Sequence, residues 1–225
     1  MKTLIVGMGQ VGSALSRVLS PHYEVKGIDK GEEIEGTFDI LHICFSYFEG
    51  FEKEVKRYQE KYKSDYTVIH STVPVGTSRK CGAIHSPIRG IHPNLESGIR
   101  TFVKFIGGEK ASEVADYFRR VGMKVYLFDK PETTELMKIL STDFYAVLIE
   151  YTKQVKRHCD EYKVPFSAWT LWTDTYNDGY KKLGYPEYTR PNLIPIMKKI
   201  GGHCILENLQ FVKNEFTKLV NKLNR

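Results

Sequence analysis

Cys204 follows two glycines, Gly201 and Gly202, in the first turn of a segment that reads as a helix. A thiol there feels the positive end of the helix dipole, which stabilises the thiolate, the form that attacks carbon. A nearby ammonium strengthens the effect, and Lys138 is the candidate. Glu207 and Asn208 lie three and four residues after Cys204, and Thr142 lies four after Lys138, so each shares a helix face with its neighbour. Together these groups could capture a carbonyl carbon and hold the charge that develops on its oxygen. They form one site only if the two helices meet at the open edge of a dinucleotide site. The competing reading of Cys204 is a small apolar residue packed at a helix start.

A second set of residues lies at the other end of the chain. "KTLIV" reads as a strand and runs into "GMGQVGSALSRVL", whose Val11, Leu15, Val18 and Leu19 recur at helical spacing. In that context G-x-G-x-x-G is informative: Gly7 permits the tight turn, Gly9 lets the backbone approach a pyrophosphate, and Gly12 allows close helix-on-strand packing. The helix N-terminus, with Gln10 and Val11, then faces the phosphates. Asp29 ends the next strand seventeen residues after Gly12, where an acid binds a ribose diol and repels a 2′-phosphate, so NAD is expected rather than NADP. Lys30 follows it at the same cofactor edge.

The elements that must position both sets follow from the hydrophobic pattern. Strands are expected at 38–45 and 66–72 and around 84–91, 102–106 and 124–128, with helices over 49–63 and roughly 111–121. Such alternation implies an α/β, Rossmann-type, doubly wound, mainly parallel sheet with its ligands beyond the carboxyl ends of the strands, which puts Ser46, Ser71 and Thr72 near the cofactor. From Asp129 the strand signals stop. A helix without Gly or Pro runs from about 132 to 163, apolar nearly all round in its first half and so expected to be buried. Phe166, Trp169, Trp172, Tyr176 and Tyr180 then form an aromatic stripe that suits a core or a dimer interface better than a ligand platform. A last helix starts near Gly202, with Ile205, Leu209, Val212, Phe216, Leu219 and Leu223 on one face. The domains are therefore 1–129, a cofactor domain, and 130–225, an all-helical dimerisation and substrate region.

Composition limits the alternatives. The 225 residues are 41% hydrophobic, ordinary for a globular chain, and no apolar run approaches the roughly 18 to 20 residues of a membrane span. The N-terminus lacks a signal-peptide pattern, so a cytoplasmic protein is expected. The four cysteines lack metal or disulfide spacing, and no metal site is expected. A net charge of +6 is spread over short clusters interleaved with acids, which fits solvated surface and an anionic small molecule better than nucleic acid. His70, His92 and His203 are the possible proton carriers, though lone histidines near strand ends are more often packed or solvent-facing.

"MKTLIVGMGQVG", "HSTVPVGT" (70–77), "ETTELMKILSTDFYA" (132–146) and "IGGHCILEN" (200–208) occur in an order and form that resemble the UDP-glucose and GDP-mannose 6-dehydrogenase family. That resemblance implies a two-step, NAD-dependent oxidation of an alcohol to an acid through a covalent thiohemiacetal and thioester. It makes Cys204 the nucleophile, Lys138 the oxyanion-stabilising lysine, and Thr72 a threonine that holds a water beside the reacting carbon. The chain departs from the family at several positions. Thr142 stands where the family has asparagine, Glu207 and Asn208 replace its Lys-Asp, and in "HPNLESG" Asn94 takes the usual glutamate position, with Glu96 as a compensating acid. The chain ends after the helix that starts at Cys204, without the family's C-terminal nucleotide-sugar domain, so UDP-glucose itself is not the expected substrate unless a second subunit completes the site. Two other readings stand beside the covalent one: a non-covalent dehydrogenase of the β-hydroxyacid and 6-phosphogluconate type using Lys138 as acid/base, and an NAD-binding regulatory protein without catalysis. A homodimer is expected from the terminal stripe and the missing domain.

Overall fold

The computed structural model describes residues 1–90, 93–201 and 203–224, with the side chains of His203 and Cys204 outside the described set. It divides into two compact units, Met1–Lys138 and Ile139–Arg225. The sequence reading put the boundary at 129/130, at the foot of the long helix that this division cuts.

The first unit is built on β1 (Lys2–Val6), β2 (Glu24–Ile28), β3 (Ile40–Ile43), β4 (Tyr66–Ile69), β5 (Ile84–His85), β6 (Lys104–Gly107) and β7 (Val125–Phe128). They form one sheet in the order β2-β1-β3-β4-β5-β6-β7, parallel throughout except at β5–β6. Alternation along each strand feeds two cores. Ile5, Ile40 and Val68 face α1 (Gln10–Leu19), α4 (Leu95–Thr101) and α5 (Ala111–Arg119); Leu4, Val6, Leu41, Ile43 and Ile69 face α2 (Phe51–Tyr62) and α3 (Thr77–Lys80). Each fully buried Leu, Ile or Phe contributes about 1.5–3 kcal/mol, and the two-sided burial explains why the strands read as nearly continuous apolar runs. The doubly wound expectation holds. The segment at 84–91 yields a two-residue strand only, and α3 and α4 were not anticipated.

The long helix α6 (Pro131–Glu161) opens with Thr134 and Glu135 buried in the first unit. In the second unit it corrects the expected all-round burial. Its buried face is Ile139, Asp143, Ala146, Glu150 and Lys153, whereas Leu140, Phe144 and Tyr151 are exposed. Glu150 and Lys153 offset each other as an ion pair at 2.6 Å, while burial, with no hydrogen-bond partner among the described residues, pushes the Asp143 carboxyl up to about 6.

Beyond α6, α7 (Phe166–Lys182) is held to the following loop by Asn177, whose amide bonds the Arg190 carbonyl at 2.8 Å and accepts its N–H at 2.7 Å. The expected continuous last helix is two short ones, α8 (His203–Asn208) and α9 (Glu215–Leu223). Asn214 breaks it by forming a reciprocal capping box with Thr217, which starts α9 afresh. The stripe is thereby split: Leu209 is buried, but Phe216 is 64% exposed and Leu219 is exposed as well, while Val220, outside the stripe, goes inside.

Candidate functional site

In this sheet the order of winding switches sides at β1, which lies between its parallel neighbours β2 and β3, and the crevice beyond the carboxyl ends of β1 and β3 is where open α/β sheets bind ligands. Gly7 turns the chain there with φ +97°, and a Cβ on it would come within 2.6 Å of the Phe45 amide nitrogen beyond β3. Gly12 sits where a Cβ would lie 2.0 Å from the Gly7 carbonyl oxygen. Gly9 differs: a Cβ there would meet nothing within 4 Å. Two glycines are thus required by the protein itself, and the third leaves the backbone bare towards open space at the start of α1. That is the arrangement a pyrophosphate needs.

Asp29, at the end of β2, accepts the Met8 amide on Oδ1 at 2.8 Å, which fixes the carboxylate against the glycine turn. Its own amide is taken by Glu32 at 2.8 Å. The Lys30 ammonium lies 4.1 Å from the centroid of the Phe48 ring. Ser71 Oγ donates to the Phe45 carbonyl at 2.6 Å, tying the start of "STVPVGT" to the segment after β3; Ser46 is exposed and Thr72 half-buried. Glu135 binds the same motif from α6, accepting the amides of Gly76 at 2.6 Å and Ser78 at 2.8 Å. Lys138, one turn further along α6, donates to the Ile88 carbonyl at 3.1 Å. Gly7, Asp29 and Ser71 are thus tied to one another around the ends of β1 to β4, while Lys138 is held at the segment after β5.

The second-unit residues are placed as follows. Thr142 is half-buried on α6, Asn208 is buried at the end of α8, and Cys204 lies in α8 with its side chain outside the described residues. His92 and Gly202 also lie outside the described residues, and so does the side chain of His203. Glu96 pairs with Arg17 at 3.0 Å and with Arg100 at 3.2 Å on the surface.

Sequence reasoning missed a polar cluster inside the first unit. Thr3 Oγ1 and Tyr117 Oη are 2.9 Å apart, Tyr117 Oη and His42 Nε2 3.2 Å, His42 Nδ1 and His70 Nε2 2.8 Å, and His70 Nδ1 and the Ser86 carbonyl 2.6 Å. One proton assignment satisfies every atom: Thr3 donates to Tyr117, Tyr117 to His42, His42 to His70, and His70 to Ser86, with both imidazoles neutral. Lys104 adds a buried amine, donating to Ser86 O at 2.8 Å. Burial lowers His42 and His85 to about 3 and Lys104 to about 7, with Lys104 adding to the shift of both histidines and Lys138 to that of Lys104. Burial pushes the Cys44 thiol up to about 12 and Cys81 to about 11. The available signal was the recurrence of "LHI", "VIHS" and "AIHS" in successive apolar runs.

No protein-family model matches the chain, and no curated protein matches it by sequence. Solved structures do match. The UDP-D-ManNAc dehydrogenase of Pyrococcus horikoshii superposes with a TM-score of 0.81 at 16% identity, over 100% of this chain and 68% of that one. The UDP-glucose dehydrogenase of Pyrobaculum islandicum gives 0.73 at 16% identity, over 99% and 67%. A Mycobacterium tuberculosis 3-hydroxyisobutyrate dehydrogenase gives 0.70 at 12% identity, over 98% and 91%. The chain spans about two thirds of the nucleotide-sugar dehydrogenases it matches. At these identities the likeness establishes the fold, a Rossmann-like dehydrogenase fold. The resemblance drawn from the motifs holds at that level.

Proposed function

We propose that the protein is an NAD-dependent oxidoreductase acting on a CH–OH group of a small molecule, an anionic one suiting its net charge of +6. The observation that supports this best is the glycine turn at the β1/β3 crevice, with Gly9 open and Asp29 fixed beside it. Gly7, Gly9, Gly12 and the α1 N-terminus, with Gln10 and Val11, hold the pyrophosphate; Asp29 takes the ribose diol and disfavours a 2′-phosphate; Lys30, Ser46, Ser71 and Thr72 complete the cofactor edge. Bound NAD supplies the hydride acceptor.

Lys138 holds the substrate oxygen as its carbon gives up hydride, either as an ammonium stabilising the oxyanion or as the acid/base itself. In the covalent version the Cys204 thiolate adds to the aldehyde carbon, and the resulting thiohemiacetal would give its hydride to a second NAD exchanged for the first, reduced one, leaving a thioester. Water then cleaves the thioester, returning the thiolate and releasing a carboxylate. Thr72, Thr142 and Asn208 hydrogen-bond the reacting groups or that water. Glu207 and Asn208, standing where the resembling family has Lys-Asp, favour a second version in which Lys138 works without the thiol. The protein acts in the cytoplasm as a homodimer.

The test combines NAD and NADP titrations with the pH dependence of Cys204 alkylation, using Cys204→Ser and Lys138→Ala as controls. An apparent thiol pKa well below about 8.5 that rises without Lys138 and responds to NAD supports the covalent version. Tight NAD binding with an inert Cys204 selects the non-covalent version or a binding protein, which turnover of small hydroxyacids then separates. Failure to bind NAD sinks the proposal.

A further inference from the structure

The first unit has a second pocket, at the edge of the sheet away from the glycine turn. β4 and β5 run parallel and β6 runs against β5, so the chain leaving β6 at Gly108 arrives beside the amino ends of β4 and β5. Thr67, Ala83, Ile84, Gly108 and Lys110 line a hollow of about 230 Å³ there, and Arg79 reaches it from α3. β1, β3, β4 and β5 are all parallel, so the cofactor crevice at their carboxyl ends is on the opposite edge. The hollow falls below the roughly 300–1,000 Å³ of pockets for drug-sized ligands, which excludes a nucleotide and suits a molecule of a few heavy atoms.

Its wall is more polar than the fold requires. Thr67 is 6% exposed, on a strand where valine would serve as well, and no described residue hydrogen-bonds its hydroxyl. Ser64 Oγ, in the same wall, is also buried without a partner among the described residues. Buried hydroxyls left unpaired cost stability, and native proteins carry few of them. Two in one wall point to a partner that comes from outside the chain.

The charges say what kind of partner. Arg79 commits Nε and Nη2 to Glu132, but its Nη1 makes no hydrogen bond with a described residue; Glu109, with its side chain 87% exposed, stands 3.7 Å from it. Lys110 forms no ion pair among the described residues, and its ammonium lies 5.9 Å from the centroid of the Tyr66 ring. Two cations with donors to spare therefore border the hollow. Asp65 and Glu109, exposed at the same border, disfavour a second negative charge on the ligand, and Ala83 and Ile84 offer apolar surface to a short carbon body.

We infer that this hollow is a binding site for a small monocarboxylate bearing a hydroxyl group, its carboxylate held by Arg79 Nη1 and Lys110 and its hydroxyl by Thr67 and Ser64. The site is separate from the cofactor crevice and does not depend on the reaction proposed there.

The test is an NMR titration of the full chain with lactate, propionate and chloride at constant ionic strength, followed at the amides of Thr67, Ile84 and Lys110. Wild type, Thr67→Val and Lys110→Gln are compared, each with and without saturating NADH. In wild type, lactate should saturate these shifts, propionate should bind about threefold or more weakly because it lacks the hydroxyl, and chloride should do nothing. Thr67→Val should bind lactate and propionate alike, Lys110→Gln should weaken both, and NADH should change neither. Without ligand, Thr67→Val should melt at or above wild type, whereas a structural hydroxyl would make it melt lower. Ser64→Ala repeats both comparisons should Thr67→Val disturb the sheet. Shifts that chloride reproduces, shifts that NADH abolishes, or no saturation by about 50 mM lactate would overturn the site and leave the hollow to water.

Discussion

His42 Nδ1 and His70 Nε2 share a hydrogen bond of 2.8 Å inside the sheet, with both rings buried. Each imidazole must be neutral to serve as donor on one side and acceptor on the other, so protonation of either breaks the chain from Thr3 to Ser86. His42 and His85 fall from 6.5 to about 3 on folding. Between those values the unfolded chain binds more protons than the folded one, so stability is present above pH 6.5 and is lost as pH falls towards 3. The slope is at most about 1.4 kcal/mol per pH unit for each group. Melting temperature is expected to drop steadily from pH 6.5 to 4, and His42→Gln should flatten that limb at some cost in stability at neutral pH.

Lys104 has the same sign in a different window. Its amine falls from 10.5 to about 7, so stability rises with pH above 7. The rise is readable only up to about pH 9, because the raised thiols of Cys44 and Cys81 reverse the sign beyond their ordinary value of 9.0. Lys104→Met should remove the rise between pH 7 and 9 in thermal melts. A rise of unchanged slope in Lys104→Met would show that other groups carry it.

The glycines of the turn separate folding from binding. Gly12→Ala forces a Cβ onto the Gly7 carbonyl and should cost about 2 kcal/mol or more of stability. Gly9→Ala meets nothing and should melt within about 2 °C of wild type, yet weaken NAD at least about tenfold because the added methyl occupies the phosphate approach. Calorimetric titration beside thermal melts checks both arms.

Glu135 is the buried acceptor for two amides at the start of α3, those of Gly76 and Ser78. Truncation to alanine leaves both without it, at about 1–3 kcal/mol each. A lowered urea midpoint with unchanged slope is expected for Glu135→Ala, with Glu135→Gln between it and wild type because an amide still offers one acceptor oxygen.

Thiol chemistry should be selective. Cys44 and Cys81 are raised by burial and Cys159 is buried, so iodoacetamide on the native protein at pH 8 should label Cys204 first by peptide mass spectrometry. Cys44 labelling as fast as Cys204 would contradict the closed packing around β3.

The sequence made the sheet half legible because its rules are local. A strand, three glycines and an acid at the right spacing impose a turn whatever surrounds them, and Gly7, Gly12 and Asp29 behave accordingly. The helical half depends on which face meets what, and periodicity misled there. The 4-3-4 run from Ile205 to Leu223 reads as one helix until Asn214 and Thr217 cap a new one. On α6 the apolar residues Leu140, Phe144 and Tyr151 stay exposed while Asp143, Glu150 and Lys153 go inside, an inversion that no hydropathy pattern signals. The histidine cluster escaped notice because its members, Thr3, His42, His70, Ser86, Lys104 and Tyr117, come from six separate segments.

The single bridge between His85 and Gly107 makes the sheet two leaves rather than one fabric: five strands from β2 to β5, and the pair β6–β7. The joint is buttoned rather than zipped. Ser86 Oγ holds the Phe105 carbonyl at 2.8 Å, Lys104 holds the Ser86 carbonyl, and Thr134 reaches His85 at 2.8 Å. A ladder of backbone bonds survives most substitutions, but buttons are side chains and can be cut one at a time. The two leaves are thus joined by side chains rather than by a ladder, beside the segment that holds Lys138.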